Sequence, residues 1–433
     1  MRAMKDSGIP WIGEIPEWWT IELIGNQVKE VNNPNTNGEE DNALQFKMGS
    51  IISKSQGNSK YNPETLEGYN IVDKGVIMLN GLNLSFDLIS QRVGLVRERG
   101  VITSTYLAVK PTDNIDSEYL TYLFKAYDNC KAFHSMGKGL RQTLSYGELR
   151  KYLLIYPSLA EQQRIAEFLD RKCAEVDEMI ALQEQIIEEL KAYKQSVITE
   201  AVTKGLNPAA PMRDSGIDWI GSIPEHWEVH PFKAYYKTTK GLNITKENLV
   251  ESGVPVISYG QIHSKLNTGT SISNELIRYV PETYLDSNPE CLSKKFDMFF
   301  ADTSEDREGA GNVAFIDIDT PIFAGYHTII ARPNDEIKTK YFAYLTKTDA
   351  WRTQIRNSVS GVKVFSISQK LINRAYIIIP SPTEQQAIAD YLDEKCADID
   401  SLIQTKQSKI DSLKEYKKSI IYEYVTGKQE VNE

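Results

Sequence analysis

Two blocks of this 433-residue sequence occur twice, and the repeat constrains how the whole chain can be organised. Residues 6–19 read DSGIPWIGEIPEWW, and residues 214–227 read DSGIDWIGSIPEHW. Residues 157–203 return as 380–426, with about half of the positions identical. The segments between these blocks differ from each other. Similar blocks that flank dissimilar ones predict one scaffold that holds two different recognition modules.

Each copy of the longer block begins with a pattern that caps a helix. Ser158 stands three residues before Glu161, and Ser381 stands three residues before Glu384. In such a capping box the hydroxyl and the carboxylate each accept a hydrogen bond from an amide of the first turn. Neither proline nor glycine follows the glutamate within either block. We therefore expect two uninterrupted helices, each roughly 65 Å long at about 1.5 Å per residue.

Both predicted helices carry a seam of apolar residues at heptad spacing, which is typical of a coiled coil. Because a long globular segment separates the two helices, an antiparallel pairing between them is the simplest arrangement. The alternative is two separate surface helices, each packed on its own domain. The predicted core positions are Val176, Ile180, Ile187, Leu190 and Val197 in the first helix, and Ile399, Ile403, Ile410, Leu413 and Ile420 in the second.

The two dissimilar segments predict mixed α/β domains of one shared fold. Short apolar runs that end at glycine or proline, such as 75–79 and 311–316, predict strands. Amphipathic patterns at 119–123 and 341–345 predict helices at matching places. The fold class is therefore α+β. The expected domains are a variable domain at 1–156, a long helix at 157–205, a second variable domain at 206–379 and a second long helix at 380–433.

The order of blocks is nearly cyclic. Residues 203–214 link the first long helix to the second variable domain, and joining residue 428 to residue 3 would create the same junction. The sequence therefore predicts termini that lie close together and a pseudo-two-fold arrangement.

Composition limits the class of protein. The formal net charge is −10, and most of the excess falls in the two helical blocks, so the variable domains are close to neutral and acidity does not exclude DNA. No apolar run reaches the roughly 18 residues that a membrane span needs, and the N-terminus lacks the apolar stretch of a signal peptide. The cysteines show no CxxC spacing. We expect a cytoplasmic protein.

No motif of catalysis stands out. The sequence lacks GxxxxGK[ST] and GxGxxG, and its histidines show no paired metal spacing. It therefore predicts a chain with no catalytic residue, no metal and no cofactor of its own.

Polar and basic loops beside glycine occupy corresponding places in the two variable domains. Glycine permits close backbone approach, while Lys, Arg and Gln donate to phosphates and base edges. An ordinary surface turn remains an equally good interpretation of each loop. The tryptophans of the shorter repeat are expected to anchor each domain to its helix. The candidate DNA contacts are Lys138, Arg141, Gln142, Lys363, Ser366, Lys47, Tyr259, Gln261, Arg92 and Arg307.

Taken together, the doubled DSGIxWIGxIPExW and PSxxEQQxIA blocks resemble the DNA specificity subunits of type I restriction–modification systems, over essentially the whole chain. The resemblance implies two target-recognition domains, each of which recognises one half of a bipartite, asymmetric DNA site. It implies helices that set the spacer between the half-sites and dock two modification (methyltransferase) subunits, with two restriction subunits as further partners. S-adenosylmethionine and ATP would then be bound by the partner subunits, in a bacterial or archaeal cytoplasm.

Two other functions are compatible with the sequence. One is a nuclease or methyltransferase that acts alone, which would need a cofactor or metal motif. The other is a coiled-coil scaffold that joins two protein-binding domains, which DNA footprinting with modification subunits would distinguish from DNA recognition.

Overall fold

The structure is a computed structural model that describes residues 2–36, 38–54, 66–85, 91–139, 142–334, 337–359, 361 and 364–431. The strands of the first half are β1 (Met4–Asp6), β2 (Glu14–Pro16), β3 (Thr20–Leu23), β4 (Val28–Glu30), β5 (Leu44–Lys47), β6 (Ser50–Ser53), β7 (Asn70–Val72), β8 (Ile77–Leu79), β9 (Val93–Leu95), β10 (Gly100–Ile102), β11 (Leu107–Pro111) and β12 (Leu153–Tyr156). The helices of this half are α1 (Ile24–Gln27), α2 (Ser117–Asn129), α3 (Ala132–Met136), α4 (Tyr146–Leu149) and the long α5 (Leu159–Lys204).

The second half follows the same general order. Its strands are β13 (Met212–Asp214), β14 (Ser222–Pro224), β15 (Glu228–Pro231), β16 (Tyr236–Lys240), β17 (Val254–Ile257), β18 (Arg278–Val280), β19 (Met298–Ala301), β20 (Thr303–Ser304), β21 (Val313–Phe315), β22 (Phe323–Ala324), β23 (Thr328–Pro333), β24 (Phe365–Ser366) and β25 (Tyr376–Ile379). Its helices are α6 (Tyr259–Ile262), α7 (Tyr284–Ser287), α8 (Tyr341–Lys347), α9 (Asp349–Arg356), α10 (Gln369–Arg374) and the long α11 (Pro382–Val425).

The capping signal of both long helices is realised, although in two different ways. Ser381 and Glu384 make both arms of the box, because each backbone amide donates to the other's side chain. At the start of α5 the Glu161 amide donates to the Ser158 hydroxyl. The Glu161 carboxylate instead accepts the indole N–H of Trp19. The carboxylate of Glu161 therefore connects the domain to the helix, while its amide takes part in the cap.

Two ion pairs establish that α5 and α11 run antiparallel, as the sequence predicted. The Lys417 ammonium lies 2.6 Å from the Asp177 carboxylate, and the Lys194 ammonium lies 2.6 Å from Asp400. Going up α5 from 177 to 194 covers 17 residues, and going down α11 from 417 to 400 also covers 17 residues. Equal steps in opposite directions define an antiparallel pair.

The predicted seam residues lie on the inward faces of these helices. Those that are buried are Val176, Ile187, Ile399, Ile410, Leu413 and Ile420. Those that are half-buried are Ile180, Leu190, Val197 and Ile403. The lysines that interrupt the seam, Lys194 and Lys417, carry the two ion pairs described above.

The chain divides into two compact units, and each long helix contributes to both. Unit 1 comprises residues 1–184 and 407–433, and unit 2 comprises residues 185–406. Each unit therefore contains one variable domain, the beginning of the helix that follows it, and the end of the other helix.

The core of unit 1 is closed by the end of α11. Ile420, Ile421 and Val425 are buried in the same cluster as Trp19 and Tyr119. The Tyr119 hydroxyl donates to the Val425 carbonyl at 3.2 Å, which satisfies one of the carbonyls that a helix end leaves without an intrahelical partner. Burying each aliphatic side chain stabilises the unit by about 1.5–3 kcal/mol.

The core of unit 2 is closed in the same way by the end of α5. Ile198, Ala201 and Val202 are buried in one cluster with Trp227 and Tyr341. The Tyr341 hydroxyl donates to the Val202 carbonyl at 2.8 Å. Each unit thus uses the helix that follows the other variable domain, which accounts for the nearly cyclic order of the sequence.

The two variable domains share a central sheet. In unit 1 the strand order is β4-β11-β8-β9, and in unit 2 it is β16-β23-β19-β21. All neighbouring strands in both sheets are antiparallel. The strands predicted at 75–79 and 311–316 lie in these sheets as β8 and β21, and the predicted helices α2 and α8 follow the sheet strands.

Tryptophan and glutamate connect the shorter repeat to the start of each long helix. Trp227 is buried, and its indole N–H donates to the Glu384 carboxylate at 3.2 Å. His226 lies 2.9 Å from the same carboxylate. Burial alone would raise the pKa of Glu384, but hydrogen bonds from Ser381, His226 and Trp227 outweigh it and lower the pKa to about 2.

This depressed pKa predicts a pH-dependent effect of Glu384→Gln. The amide can still accept the capping hydrogen bond but carries no charge. The charge contributes stability above the unfolded pKa of about 4.3, and that stability is lost as the pH falls through about 2. At pH 7 we expect the thermal midpoint of unit 2 to fall by about 2–4 °C, because a partly exposed group is worth about 1 kcal/mol after solvent screening.

Thermal scans of both proteins from pH 7 to pH 2 measure this effect. The difference between them should shrink between about pH 4.5 and pH 2. Glu394→Gln, at an exposed position of the same helix, provides the control and should show no such trend. If the difference in thermal midpoint stays constant over this pH range, the pKa of Glu384 is not lowered as described.

Candidate nucleic-acid interface

In unit 2, a group of aromatic and imidazole side chains surrounds Tyr259, one of the predicted contacts. The ring centroids of Tyr259 and His327 lie 5.4 Å apart, and those of Tyr259 and Tyr326 lie 5.6 Å apart, both edge to face. Such arrangements stabilise aromatic pairs beyond the area that they bury. His327 adopts a positive φ of 55°, and its Nδ1 lies 3.0 Å from Asp302. The group is therefore held in place by its neighbours.

His263 fixes the floor of this group. Its Nε2 lies 2.8 Å from the Thr303 carbonyl oxygen, and its Nδ1 lies 3.0 Å from the side-chain nitrogen of Asn312. A carbonyl oxygen only accepts and an amide nitrogen only donates, so Nε2 carries the hydrogen and Nδ1 accepts. The imidazole thus has a fixed orientation.

An open cleft of about 650 Å³ lies beside these rings. Arg352 and Arg356, one turn apart on α9, form part of its wall. Burial, followed by the nearby charge of Arg356, lowers the pKa of Arg352 to about 10, so Arg352 remains charged at neutral pH. Carboxylates of the opposite sign line the same cleft, namely Glu305, Asp306 and Glu308. This mixture of charges suits hydrogen bonding to the donors and acceptors of base edges. It suits general binding of phosphates less well.

The structure brings three of the other predicted contacts of unit 2 to this region. Gln261 lies on α6 with Tyr259, and its side-chain oxygen accepts from the Ser258 amide at 3.1 Å. Ser366 is exposed on β24, which pairs with Thr303 of β20. Arg307 is exposed, and its guanidinium donates to the Arg356 carbonyl at 3.0 Å. The fourth, Lys363, lies outside the described residues.

In unit 1 the predicted contacts fall on two separate loops. Lys47 is exposed at the end of β5. Lys138 is exposed on the second loop, where its ammonium lies 3.0 Å from Glu148 and contributes to a lowered pKa of that carboxyl group. Gln142 closes the second loop with a φ of 44°, and its carbonyl accepts from the Leu84 amide. Arg141 lies outside the described residues.

The structure corrects the prediction for Arg92. Only 1% of this residue is exposed. Its guanidinium donates to the carbonyls of Asn80 and Leu82 at 2.9 and 2.8 Å, and its backbone amide donates to Asp128. Arg92 therefore organises the 80–82 loop from inside the domain and is not available to DNA.

The candidate contacts predicted from the sequence do not include Arg352, Arg356, His263 and His327. The two arginines stand four residues apart on an amphipathic helix, which puts them on one face, and that spacing was a usable signal. The two histidines gave no such signal, because their partners Asn312 and Asp302 are distant in the sequence.

The described residues show no obvious metal site or membrane span. Among them, no group of three or more His, Cys, Asp or Glu side chains is placed to hold a metal ion. Within the same residues, no helix combines the length and the apolarity that crossing a membrane would take.

Comparisons with known proteins agree with this architecture. The model of the type I restriction modification DNA specificity domain matches residues 96–192 and 224–415, which is more than half of the chain. This chain therefore belongs to the type I restriction modification DNA specificity domain family.

Two curated relatives come from Methanocaldococcus jannaschii. The type I restriction enzyme MjaVIII specificity subunit is 24% identical over 76% of this chain and 75% of its own length. The putative type I restriction enzyme MjaX specificity subunit is 23% identical over 96% of this chain and 95% of its own.

Two solved structures share the fold. A chain from work on the assembly and conformational transition of the type I R-M system has a TM-score of 0.69 and 14% identity, over 96% of this chain and 99% of its own. The HsdS subunit from Thermoanaerobacter tengcongensis has a TM-score of 0.52 and 13% identity, over 96% of this chain and 98% of its own. At these identities the likeness concerns the fold alone.

Proposed function

We propose that this chain is the DNA sequence-recognition subunit of a type I restriction–modification complex, and that each unit recognises one half of a bipartite site. One observation carries the proposal: the two units share a sheet and a helix socket but present different side chains on their loops. Unit 2 offers Tyr259 and Arg356 in its cleft and the exposed Arg307 outside the cleft lining, whereas unit 1 offers Lys47 and Lys138. Two unlike recognition surfaces on one repeated scaffold suit an asymmetric DNA site.

Discrimination between bases would come from these loops. A good pair of hydrogen bonds to a base edge discriminates against the wrong base by about 1–3 kcal/mol. The contacts of unit 2 mix cationic and anionic side chains around fixed rings, which favours specific recognition over general attraction. We assign no catalytic step to this chain. Methylation, with S-adenosylmethionine, and ATP-dependent steps would belong to partner subunits.

The long helices would set the gap between the half-sites. α5 and α11 each pass from one unit into the other. The ion pairs of Lys194 and Lys417 fix the register between these helices. A paired helical spacer of fixed register would act as a ruler for the DNA gap.

The outer faces of the helices offer matched positions for two identical partners. In unit 1, Met179 and Tyr416 expose about half of their side chains, and in unit 2, Leu402 and Tyr193 do the same. Met179 corresponds to Leu402 in the repeat, and Tyr193 corresponds to Tyr416. Within each unit the two residues lie at the same level of the antiparallel pair. Since both units carry this pair of residues, we infer two equivalent docking faces for two modification subunits.

Methylome sequencing tests the proposed function directly. Cells that carry the modification subunits with this chain should show one bipartite methylated motif, and cells without the chain should show none. Exchanging residues 1–156 for another such domain should then alter one half of the motif and leave the other half unchanged. A motif that changes in both halves would refute independent recognition, and an absent motif would favour the protein-binding scaffold.

A matched insertion tests the helical ruler. We add four residues after Leu190 in α5 and four after Gln404, the position level with it in α11, so that register and inward faces are nearly kept. Four residues lengthen each helix by about 6 Å, which corresponds to between one and two base pairs at about 3.4 Å each. The methylated motif should keep its half-sites and gain this gap. An unchanged gap with unchanged half-sites would disprove the ruler.

Charge on the exposed tyrosines tests the docking faces. Tyr193→Glu with Tyr416→Glu should abolish stable assembly with modification subunits, because docking would bury both carboxylates. Size-exclusion chromatography with mass measurement reports the assembly. Ala181→Glu with Gln404→Glu is the control, since it adds the same charge at equivalent exposed positions. Each double variant, measured without modification subunits, should keep the wild-type melting temperature. If the tyrosine variant assembles as well as the wild-type chain does, these faces do not dock the modification subunits.

A further inference from the structure

The hairpin of β5 and β6 ends in a two-residue loop with an unusual residue at its first position. Leu44 to Lys47 pairs with Ser50 to Ser53, so that Met48 and Gly49 alone connect the strands. Both have positive φ, 47° for Met48 and 77° for Gly49, as a type I′ turn requires. Asn, Asp and Gly favour the first position of such a turn, and a bulky side chain there is disfavoured. Met48 therefore occupies a turn position that other residue types favour.

Burial within the fold does not compensate Met48 for this unfavourable backbone conformation. It exposes 83% of its surface, the largest fraction among the exposed large apolar residues of the described chain. A single exposed apolar residue is ordinary by itself. Exposure combined with an unfavourable backbone conformation is not ordinary, because both features would be relieved by asparagine or glycine. The combination points to a contact made outside this chain.

The rest of the hairpin is firmly supported. Leu44 and Ile51 are buried in one apolar cluster. Gly49 lies so close to Gln91 that a Cβ atom there would come within 2.4 Å of the Gln91 side-chain oxygen. A Cβ atom at Gly94 of β9 would lie 3.1 Å from the Ile51 side chain, so this glycine leaves room for β6. The supported hairpin thus presents Met48 and its exposed neighbour Lys47 to solvent at its tip.

A two-stranded ribbon of this kind fits the DNA major groove, where thymine alone among the standard bases presents a methyl group. An apolar side chain at the tip contacts that methyl group, and an adjacent lysine contacts phosphate. We propose that Met48 contacts the C5-methyl group of a thymine in the half-site that unit 1 recognises. This inference rests on the proposed function and deepens it by naming one base contact.

The test removes the methyl group from the DNA and the thioether from the protein. The full complex with modification subunits is titrated with its own methylated motif, in which each thymine of the unit 1 half-site is replaced in turn by deoxyuridine. At one position we expect wild-type affinity to fall about fourfold, the effect of one buried methyl group. Met48→Gly should bind both DNAs equally, at the weaker affinity.

Three controls distinguish a thymine contact from a loss of stability or of phosphate binding. Met48→Asn suits the same backbone conformation, so it should also lose the deoxyuridine effect while keeping or raising the melting temperature. Lys47→Ala should weaken binding to both DNAs alike, reduce the salt dependence and leave the deoxyuridine effect intact. Deoxyuridine in the other half-site should give penalties that no Met48 variant changes.

The outcomes are distinguishable. If wild type shows no deoxyuridine penalty in this half-site, or if Met48→Gly and Met48→Asn both keep the wild-type penalty, Met48 does not contact a thymine methyl group. In either case the proposed function survives, because the complex still binds its bipartite motif. If the wild-type complex binds no bipartite motif at all, the proposed function itself fails.

Discussion

The structure depends on how the ends of the two long helices are buried. The end of α11 is buried against the first variable domain, and the end of α5 is buried against the second. Val425 and Val202 are fully buried, and the carbonyl of each accepts a hydrogen bond from a buried tyrosine. Burial raises the pKa of both hydroxyl groups, of Tyr119 and of Tyr341, so they remain donors at any physiological pH. A helix end that left these side chains in water would lose several kcal/mol per unit. This interaction ties the first variable domain to α11 and the second to α5, and so makes the two halves mutually dependent.

That dependence explains which parts of the sequence are similar. The repeated blocks supply a tryptophan, the glutamate that accepts its indole N–H, and an aspartate. A tyrosine of each variable domain donates to that aspartate and completes the socket. Tyr122 donates to Asp170 at 2.6 Å, and Tyr344 donates to Asp393 at 2.5 Å. The socket has to accept the same helix geometry twice, so its residues recur. The loops beyond the sheets have no such shared partner, and their residues differ.

The sequence was sufficient for the scaffold because the scaffold is periodic and capped. Two copies of one cap and one heptad seam locate α5 and α11, and the globular segment between them indicates their antiparallel pairing. Burial within a domain is not periodic in the same way, which is why the sequence does not reveal that Arg92 is buried. Its carbonyl partners lie 10 and 12 residues away, across a loop whose path the sequence does not specify.

Equivalence in sequence also failed to predict equivalence in local structure. Met48-Gly49 aligns with Tyr259-Gly260, yet the first pair forms a hairpin tip and the second begins the short helix α6. The difference follows from their neighbours. Ser258 and Gln261 form a capping box that starts a helix, whereas Lys47 and Ser50 face each other across a strand pair. One scaffold position can therefore support unlike local structures.

The charge of the chain indicates how strongly it can bind DNA by itself. The chain carries a formal net charge of −10, and the cleft of unit 2 sets two arginines against three carboxylates. Nonspecific affinity for DNA comes from neutralising phosphates, and this balance provides little of it. A subunit with this balance would gain affinity mainly when partners supply cationic surface, while its own contacts would decide which sequence is bound. Dividing the work in this way would keep the free chain from occupying DNA at random, because specificity and general attraction would then reside on different subunits.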